Sequence, residues 1–323
     1  MIYRALRWIT GIALHWFYRD IRVVGRERIP THGPLLIAVN HWNALVDSLL
    51  VGWVMPRRIT MTAKATLVDN PLVAVLFRIL GVVPLRRVSD ESRKKDGLPF
   101  DRARNTEAFR EILDLLEKGG AVLIFPEGKS HNATALEPLK TGLARLALQA
   151  RDNRAISGVR ILPIGVVFDS KATPGSLVDI RIGEAIEMES WPNSDAGTLT
   201  LEVAARLRAL SECGVIRSEE SPVRLPSRSL KRLLITMAAW WGRLTHQPSI
   251  QVARSLALRQ SRDADQPAML TIMFATGIVL LAYVLQIVVV GVLVRSFWVS
   301  VIYLVSLLGG AYWAAFENQP RRS

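Results

Sequence analysis

Residues 119–131 read GGAVLIFPEGKSH. The paired glycines close a helical pattern over 102–118, because glycine supplies the backbone conformation with which helices commonly end. An uninterrupted apolar run, 121–125, starts at once and is stopped by Pro126 and the charged residues after it. A short apolar run bounded by Gly and Pro predicts a buried strand. Working outward, further strand candidates occur at 21–24, 35–39 (entered through Gly33 and Pro34), 59–63, 82–85 and 160–168, and 178–182 adds one more candidate despite its two charges. Helical patterns lie between them at 45–54, 71–80, 102–118 and 139–149. Strands alternating with helices predict an α/β domain around a partly parallel sheet, placed at 20–212.

The flanks differ from this domain. The N-terminal segment is placed at 1–19; its residues 1–18 are apolar with Arg4 and Arg7 inserted, and Ile2, Leu6, Ile9, Ala13 and Trp16 recur at helical spacing. The run is too short to span a bilayer. It is interrupted by His15, Trp16 and Tyr18, and no small-residue cleavage site follows, which disfavours a secretory signal. The expectation is an amphipathic, membrane-associated helix, with a helix packed on the domain as its rival. Residues 213–267 are expected to be a basic helical linker. The tryptophan pair Trp240 and Trp241 and the neighbouring Lys and Arg residues suit an anionic membrane surface as well as water.

Residues 268–294 and 296–316 carry no charge, and only Arg295 divides them. Each is long enough to cross a hydrocarbon layer of about 30 Å. Two transmembrane helices with a tight turn, over 268–316, are the first expectation; one span with a re-entrant segment is the other. Arg254, Arg259 and Arg262 precede this stretch, and a short basic tail, 317–323, follows it. Positive charge on both sides suits a hairpin with both ends in the cytoplasm.

The formal net charge of +13 over 323 residues favours phosphate-rich partners. Nucleic acid would explain the charge but not the terminal apolar stretches, so the partners expected are lipids and phosphorylated small molecules. Cys213 is the single cysteine, which excludes an internal disulfide and gives no cysteine-based metal pattern. No Gly-x-Ser-x-Gly elbow is present, which argues against a serine hydrolase.

Four short stretches carry candidate chemistry. The first is Asn40-His41-Trp42-Asn43-Ala44-Leu45-Val46-Asp47, where a strand gives way to an apolar helix. Neutral imidazole takes a proton from a hydroxyl near pH 7, and a carboxylate on its other nitrogen holds the tautomer. Six positions apart on a regular helix puts the two side chains about 120° apart, so His41 meets Asp47 only from an irregular turn. The second is 125–131 with the run 136–142, which holds Lys140. It combines a permissive glycine, a hydroxyl and two lysines ahead of a helix, the elements of a phosphate cradle. The third, 81–87, is a strand ending in Arg86 and Arg87, suited to bidentate phosphate contact. The fourth, 161–165, has Pro163 in an apolar strand and no ionisable group. Singly, each of these reads equally as an ordinary strand end or charged loop.

In this order the four stretches resemble the glycerophospholipid acyltransferase family, which includes the glycerol-3-phosphate and lysophosphatidate acyltransferases. The matches are Asn40, His41 and Asp47; Gly81 and Arg87; Phe125 to Gly128 followed by Pro138, Lys140 and Gly142; and Pro163. They cover about residues 20 to 185. The usual spacing puts four residues between His and Asp, whereas here there are five. The longer form, His41-x-Asn43-x-Leu45-x-Asp47, looks like the glycerol-3-phosphate or dihydroxyacetone-phosphate branch, as does Lys129-Ser130-His131 in place of Thr-Arg-Ser.

The resemblance implies a glycerol-3-phosphate-acyltransferase-like mixed sheet flanked by helices, with the transmembrane hairpin appended. It implies transfer of a fatty acyl group from acyl-CoA or acyl carrier protein to the hydroxyl of glycerol 3-phosphate, dihydroxyacetone phosphate or lysophosphatidate. His41 would be the base, oriented by Asp47. Arg87, Lys140, Lys129 and Ser130 would hold the acceptor, and Glu127 and Gly128 would shape its site. No metal or cofactor is implied. The catalytic domain would face the cytoplasm, on a bacterial inner membrane or the endoplasmic reticulum. The alternative is a membrane-associated lipid-binding scaffold that keeps the fold without catalysis.

Overall fold

The computed structural model describes residues 2–64, 82–85, 102–131, 135–171, 173–192, 194–214, 230–260 and 267–316. The helical pattern at 71–80, Arg86, Arg87 and the basic tail at 317–323 lie outside these residues.

In chain order the elements are α1 (Ile2–Phe17), β1 (Asp20–Val24), β2 (Leu35–Val39), α2 (Ala44–Val54), β3 (Thr60–Lys64), β4 (Val83–Leu85), α3 (Arg102–Glu117) and β5 (Ala121–Ile124). Then follow α4 (Gly142–Leu148), β6 (Arg160–Phe168), β7 (Leu177–Ile182), β8 (Ile186–Glu187), α5 (Ala196–Ser211), α6 (Leu230–Gln260), α7 (Pro267–Val294) and α8 (Phe297–Phe316). The strands form one mixed sheet in the order β1-β7-β6-β2-β5-β3-β4, with β8 paired to β6. β2 runs parallel to both β5 and β6, and β7 and β8 run antiparallel to β6.

Alternation along the central strands divides the core in two. Leu35, Ile37, Val39, Leu123, Leu162, Ile164 and Val166 face one side, where Leu14 and Phe17 of α1 and Val46, Leu50 and Val54 of α2 cover them. Leu36, Ala38, Val122, Ile124 and Ile161 face the other, under Ile112 and Leu116 of α3, Leu143 and Leu146 of α4, and Leu199, Val203 and Leu207 of α5. Each such aliphatic side chain contributes roughly 1.5–3 kcal/mol by leaving water. With both faces covered, β2 and β5 carry unbroken apolar runs.

The turn from α3 into β5 closes as the glycine pair predicts. Gly119 sits at φ +72°, and the Gly119 and Gly120 amides donate to the Leu116 and Leu115 carbonyls at 2.8 Å each. Helix α5 was not read from the sequence. Asp195 caps it, accepting from the Thr198 amide at 2.6 Å, and it crosses β6 where Gly165 leaves room. A Cβ at Gly165 would lie 2.7 Å from the Leu210 backbone.

Helices α7 and α8 are each long and apolar enough to cross a membrane, and only Arg295 and Ser296 separate them. The pair is not set apart from the α/β domain. Ala268 and Ile272, at the start of α7, are buried in the α1–α2 side of the core. Trp16 of α1 donates through Nε1 to the Ala311 carbonyl of α8 at 3.2 Å. Nor does α6 hang free as a linker. A Cβ on Gly242 would come within 2.0 Å of the Gly310 carbonyl oxygen, so the α6 and α8 backbones touch there. His246 of α6 hydrogen-bonds the Tyr283 hydroxyl of α7.

Candidate active site

The parallel strands β2 and β5 end side by side, and the two motif-bearing turns leave from those ends. In an open α/β sheet this edge is where ligands commonly bind. Asn40 anchors the first turn: its side chain donates to the Val166 carbonyl at 2.9 Å and accepts from the Val166 amide at 2.7 Å, so the end of β2 is stitched to β6. His41 and Trp42 follow before α2 begins at Ala44, which places His41 outside the helix, as its spacing from Asp47 required.

The His41 Nδ1 atom lies 3.1 Å from Asp47 Oδ2, and the carboxylate is fully buried. The same oxygen accepts from the Asn43 amide at 2.8 Å. A carboxylate only accepts, so Nδ1 carries the hydrogen and Nε2 keeps the lone pair. The imidazole also stacks on Phe125, with centroids 3.9 Å apart and planes 15° from parallel. Phe125 therefore fixes the plane of the ring and Asp47 fixes its rotation.

Asn43 occupies the N-cap position of α2, yet its side chain makes no cap hydrogen bond. Its Nδ2 donates instead to the Tyr18 hydroxyl at 3.0 Å and to the Lys171 carbonyl at 3.1 Å. Tyr18 in turn donates to that carbonyl at 3.3 Å. Burial, and then the Asp47 charge, push the Tyr18 pKa well above the usual tyrosine value, which keeps the hydroxyl protonated. The Lys171 ammonium lies 5.6 Å over the Trp42 ring.

The second turn is closed by the Gly128 amide donating to the Phe125 carbonyl at 3.0 Å, with Gly128 at φ +81°. Glu127 is buried, and its carboxylate is turned into the protein. Its Oε1 accepts from the His41 amide at 2.6 Å, and its Oε2 accepts from the Glu137 amide at 2.9 Å and pairs with His131 Nε2. Lys140 is tied to this turn by its amide, which donates to the Pro126 carbonyl at 2.7 Å, and its Cγ passes beside Gly128. The Lys140 side chain is exposed. Lys129 is also exposed and pairs with Glu137 at 3.1 Å. Ser130 is half-buried on the same loop.

Thus His41, Asp47, Glu127, Gly128, Lys129, Ser130 and Lys140 gather at the ends of two neighbouring strands. Arg87 is outside the described residues. Tyr18, Phe125, Asn43, His131 and Lys171 belong to the same cluster without having been assigned roles from sequence. Among the described residues no group of His, Cys, Asp and Glu is arranged to hold a metal.

Residues 20–167 match the family model described as Acyltransferase. The chain is 24% identical over 265 residues to glycerol-3-phosphate O-acyltransferase 1 of Saccharomyces cerevisiae, covering 58% of this chain and 35% of that one. It is 25% identical over 166 residues to a chloroplastic 1-acyl-sn-glycerol-3-phosphate acyltransferase of Arabidopsis thaliana, covering 51% and 40%. The chain thus spans well under half the length of these relatives. Among solved structures it is similar to the lysophosphatidate acyltransferase PlsC of Thermotoga maritima, at 22% identity and a TM-score of 0.47, covering 63% of this chain and 77% of that one. With the motif residues assembled at the strand ends, the match identifies residues 20–167 as an acyltransferase-family domain, similar to the glycerol-phosphate acyltransferases just named.

Proposed function

We propose that the protein transfers a fatty acyl group from an acyl-CoA or acyl-carrier-protein thioester to the hydroxyl of a glycerol-phosphate-type acceptor. The observation that carries this reading is the His41–Asp47 pair, 3.1 Å apart at the edge of the sheet, with Nδ1 engaged and Nε2 left as a base. Nε2 takes the acceptor's hydroxyl proton while the oxygen attacks the thioester carbonyl. The C–O bond forms, the C–S bond breaks, and the leaving thiolate takes the proton back from the imidazolium. The products are an ester and a free thiol carrier. Charge and electrons balance without a redox group, and no metal is invoked.

Lys140, Arg87 and Lys129 are proposed to hold the acceptor's phosphate, with Ser130 and the Gly128 turn completing the cradle. Glycerol 3-phosphate, dihydroxyacetone phosphate and lysophosphatidate share this headgroup chemistry. The names of the yeast and plant relatives favour the class as a whole. Helices α7 and α8 are proposed to hold the domain at a membrane, with the sheet edge on the cytoplasmic side, so that a soluble donor arrives from water and a lipid product leaves into the bilayer.

The test is transfer from radiolabelled acyl-CoA and acyl carrier protein to a panel of glycerol phosphates by the purified full chain. His41→Ala is expected to lower the rate by about 10²–10⁴-fold, the contribution of a positioned general base. A folded His41→Ala protein with a rate near wild type refutes the assignment.

A further inference from the structure

We infer that His131 is a positioning residue for the catalytic turn, acting through Glu127 on the His41 main chain; this rests on His41 being the base. The His41 peptide is gripped on both sides by one segment. Its N–H donates to Glu127 Oε1 at 2.6 Å, and its carbonyl accepts from the His131 amide at 3.2 Å. The grip therefore depends on where the Glu127 carboxylate points.

That carboxylate is 0% exposed at the side chain, so no water shell orients it. Its Oε2 is held by two donors, the Glu137 amide and His131 Nε2. The His131 ring is itself only 7% exposed, and its main-chain carbonyl accepts from Lys171 Nζ at 3.2 Å. Against an acceptor-only carboxylate, Nε2 must carry the hydrogen. His131 is thus a buried donor spent on a buried carboxylate, and a bond of that kind is costly to leave unmade. The site contains two imidazole–carboxylate pairs: His41–Asp47 sets the ring that accepts the proton, and His131–Glu127 sets the peptide that carries that ring.

The experiment compares His131→Leu and His131→Gln with wild type and His41→Ala, using the full chain in mixed micelles. It measures kcat and the acceptor and donor KM values. Leucine removes the donor; glutamine places an amide N–H where Nε2 stands. The expected result is a fall in kcat of about 10- to 100-fold for His131→Leu, with both KM values within about threefold, and recovery of most of that loss in His131→Gln. A purely structural defect would not be rescued by a single amide. Should the leucine variant not fold, His131→Asn replaces it, since its shorter amide stops at the Nδ1 position.

An inactive His41→Ala beside a fully active His131→Leu overturns this inference and leaves the proposed reaction standing. His131→Gln as slow as His131→Leu also overturns it. A His41→Ala protein that retains the wild-type rate overturns the reaction and the inference together.

Discussion

In the proposed reaction the two nitrogens of His41 have different tasks, and Asp47 decides which does which. Replacing Asp47 by Asn keeps the shape and removes the charge that stabilises the imidazolium. It also lets an amide N–H face Nδ1 and favour the wrong tautomer. Asp47→Asn is therefore expected to cut kcat by about 10²-fold or more, with the circular dichroism spectrum unchanged. Tyr18 makes a pH-dependent contribution of definite sign. Its pKa is raised in the folded chain by burial, so ionisation opposes folding. Its stabilising effect is complete below the unfolded value of about 10 and declines as pH rises through and beyond it. Wild type should lose stability in urea titrations between about pH 10 and pH 11, and Tyr18→Phe should lose less over the same interval. An equal loss in both would exclude Tyr18 as the source. At this scale the His41–Asp47 contact was legible because the two residues lie six positions apart in one stretch that stands first in the ordered set of motifs. Tyr18, Asn43 and Lys171 were not, since the bonds that join them reach across 25 and 128 residues of sequence.

Elements were legible where one local signal sufficed. The strands at 35–39 and 160–168 stand where their apolar runs placed them, because their covered residues are apolar and charge, Gly or Pro marks where the runs begin. Helix α5 was not legible although Leu199, Val203 and Leu207 recur at helical spacing, because Gly197, Thr198 and Thr200 are weak helix formers at its start. The packing of α6 was illegible for another reason: its contact face is written in small residues, Ala239, Gly242, Ala253 and Ala257, which carry little hydrophobic signal. Two glycines test these contacts. Gly165→Ala would push a methyl into the α5 backbone at Leu210, which cannot swing aside as a side chain does. It is expected to cost about 1–3 kcal/mol in denaturant unfolding, the usual range for overpacking. Gly242→Ala meets the Gly310 carbonyl and should separate α6 from α8. Cross-linking between cysteines placed at 241 and 303, whose rings now lie 6.2 Å apart, should fall in that variant and persist in wild type.

At the scale of the whole molecule, the charge and the apolar helices act together. The outward faces of α7 and α8, with Leu281, Leu285, Val292, Leu293, Phe297 and Trp298 all exposed, form an apolar surface of the kind that marks a membrane or protein contact. Leu233, Leu234, Met237, Trp240 and Leu244 are likewise exposed along the first half of α6. The net charge of +13 adds attraction to anionic headgroups, which salt screens, whereas the burial of apolar helices is not screened. The two contributions are therefore separable. Truncation must begin after Ile272, because Ala268 and Ile272 complete the core around α1 and α2, and a deletion from 266 would confuse lost anchoring with lost folding. Deleting 277–323 is expected to leave a folded domain. In flotation assays with anionic vesicles, the full chain should stay bound at 1 M salt, where screening acts within about 3 Å. The truncated chain should bind at low salt through α1 and α6 and be released at high salt. A truncated chain that floats as completely as the full one at 1 M salt would show that α7 and α8 are not the anchor.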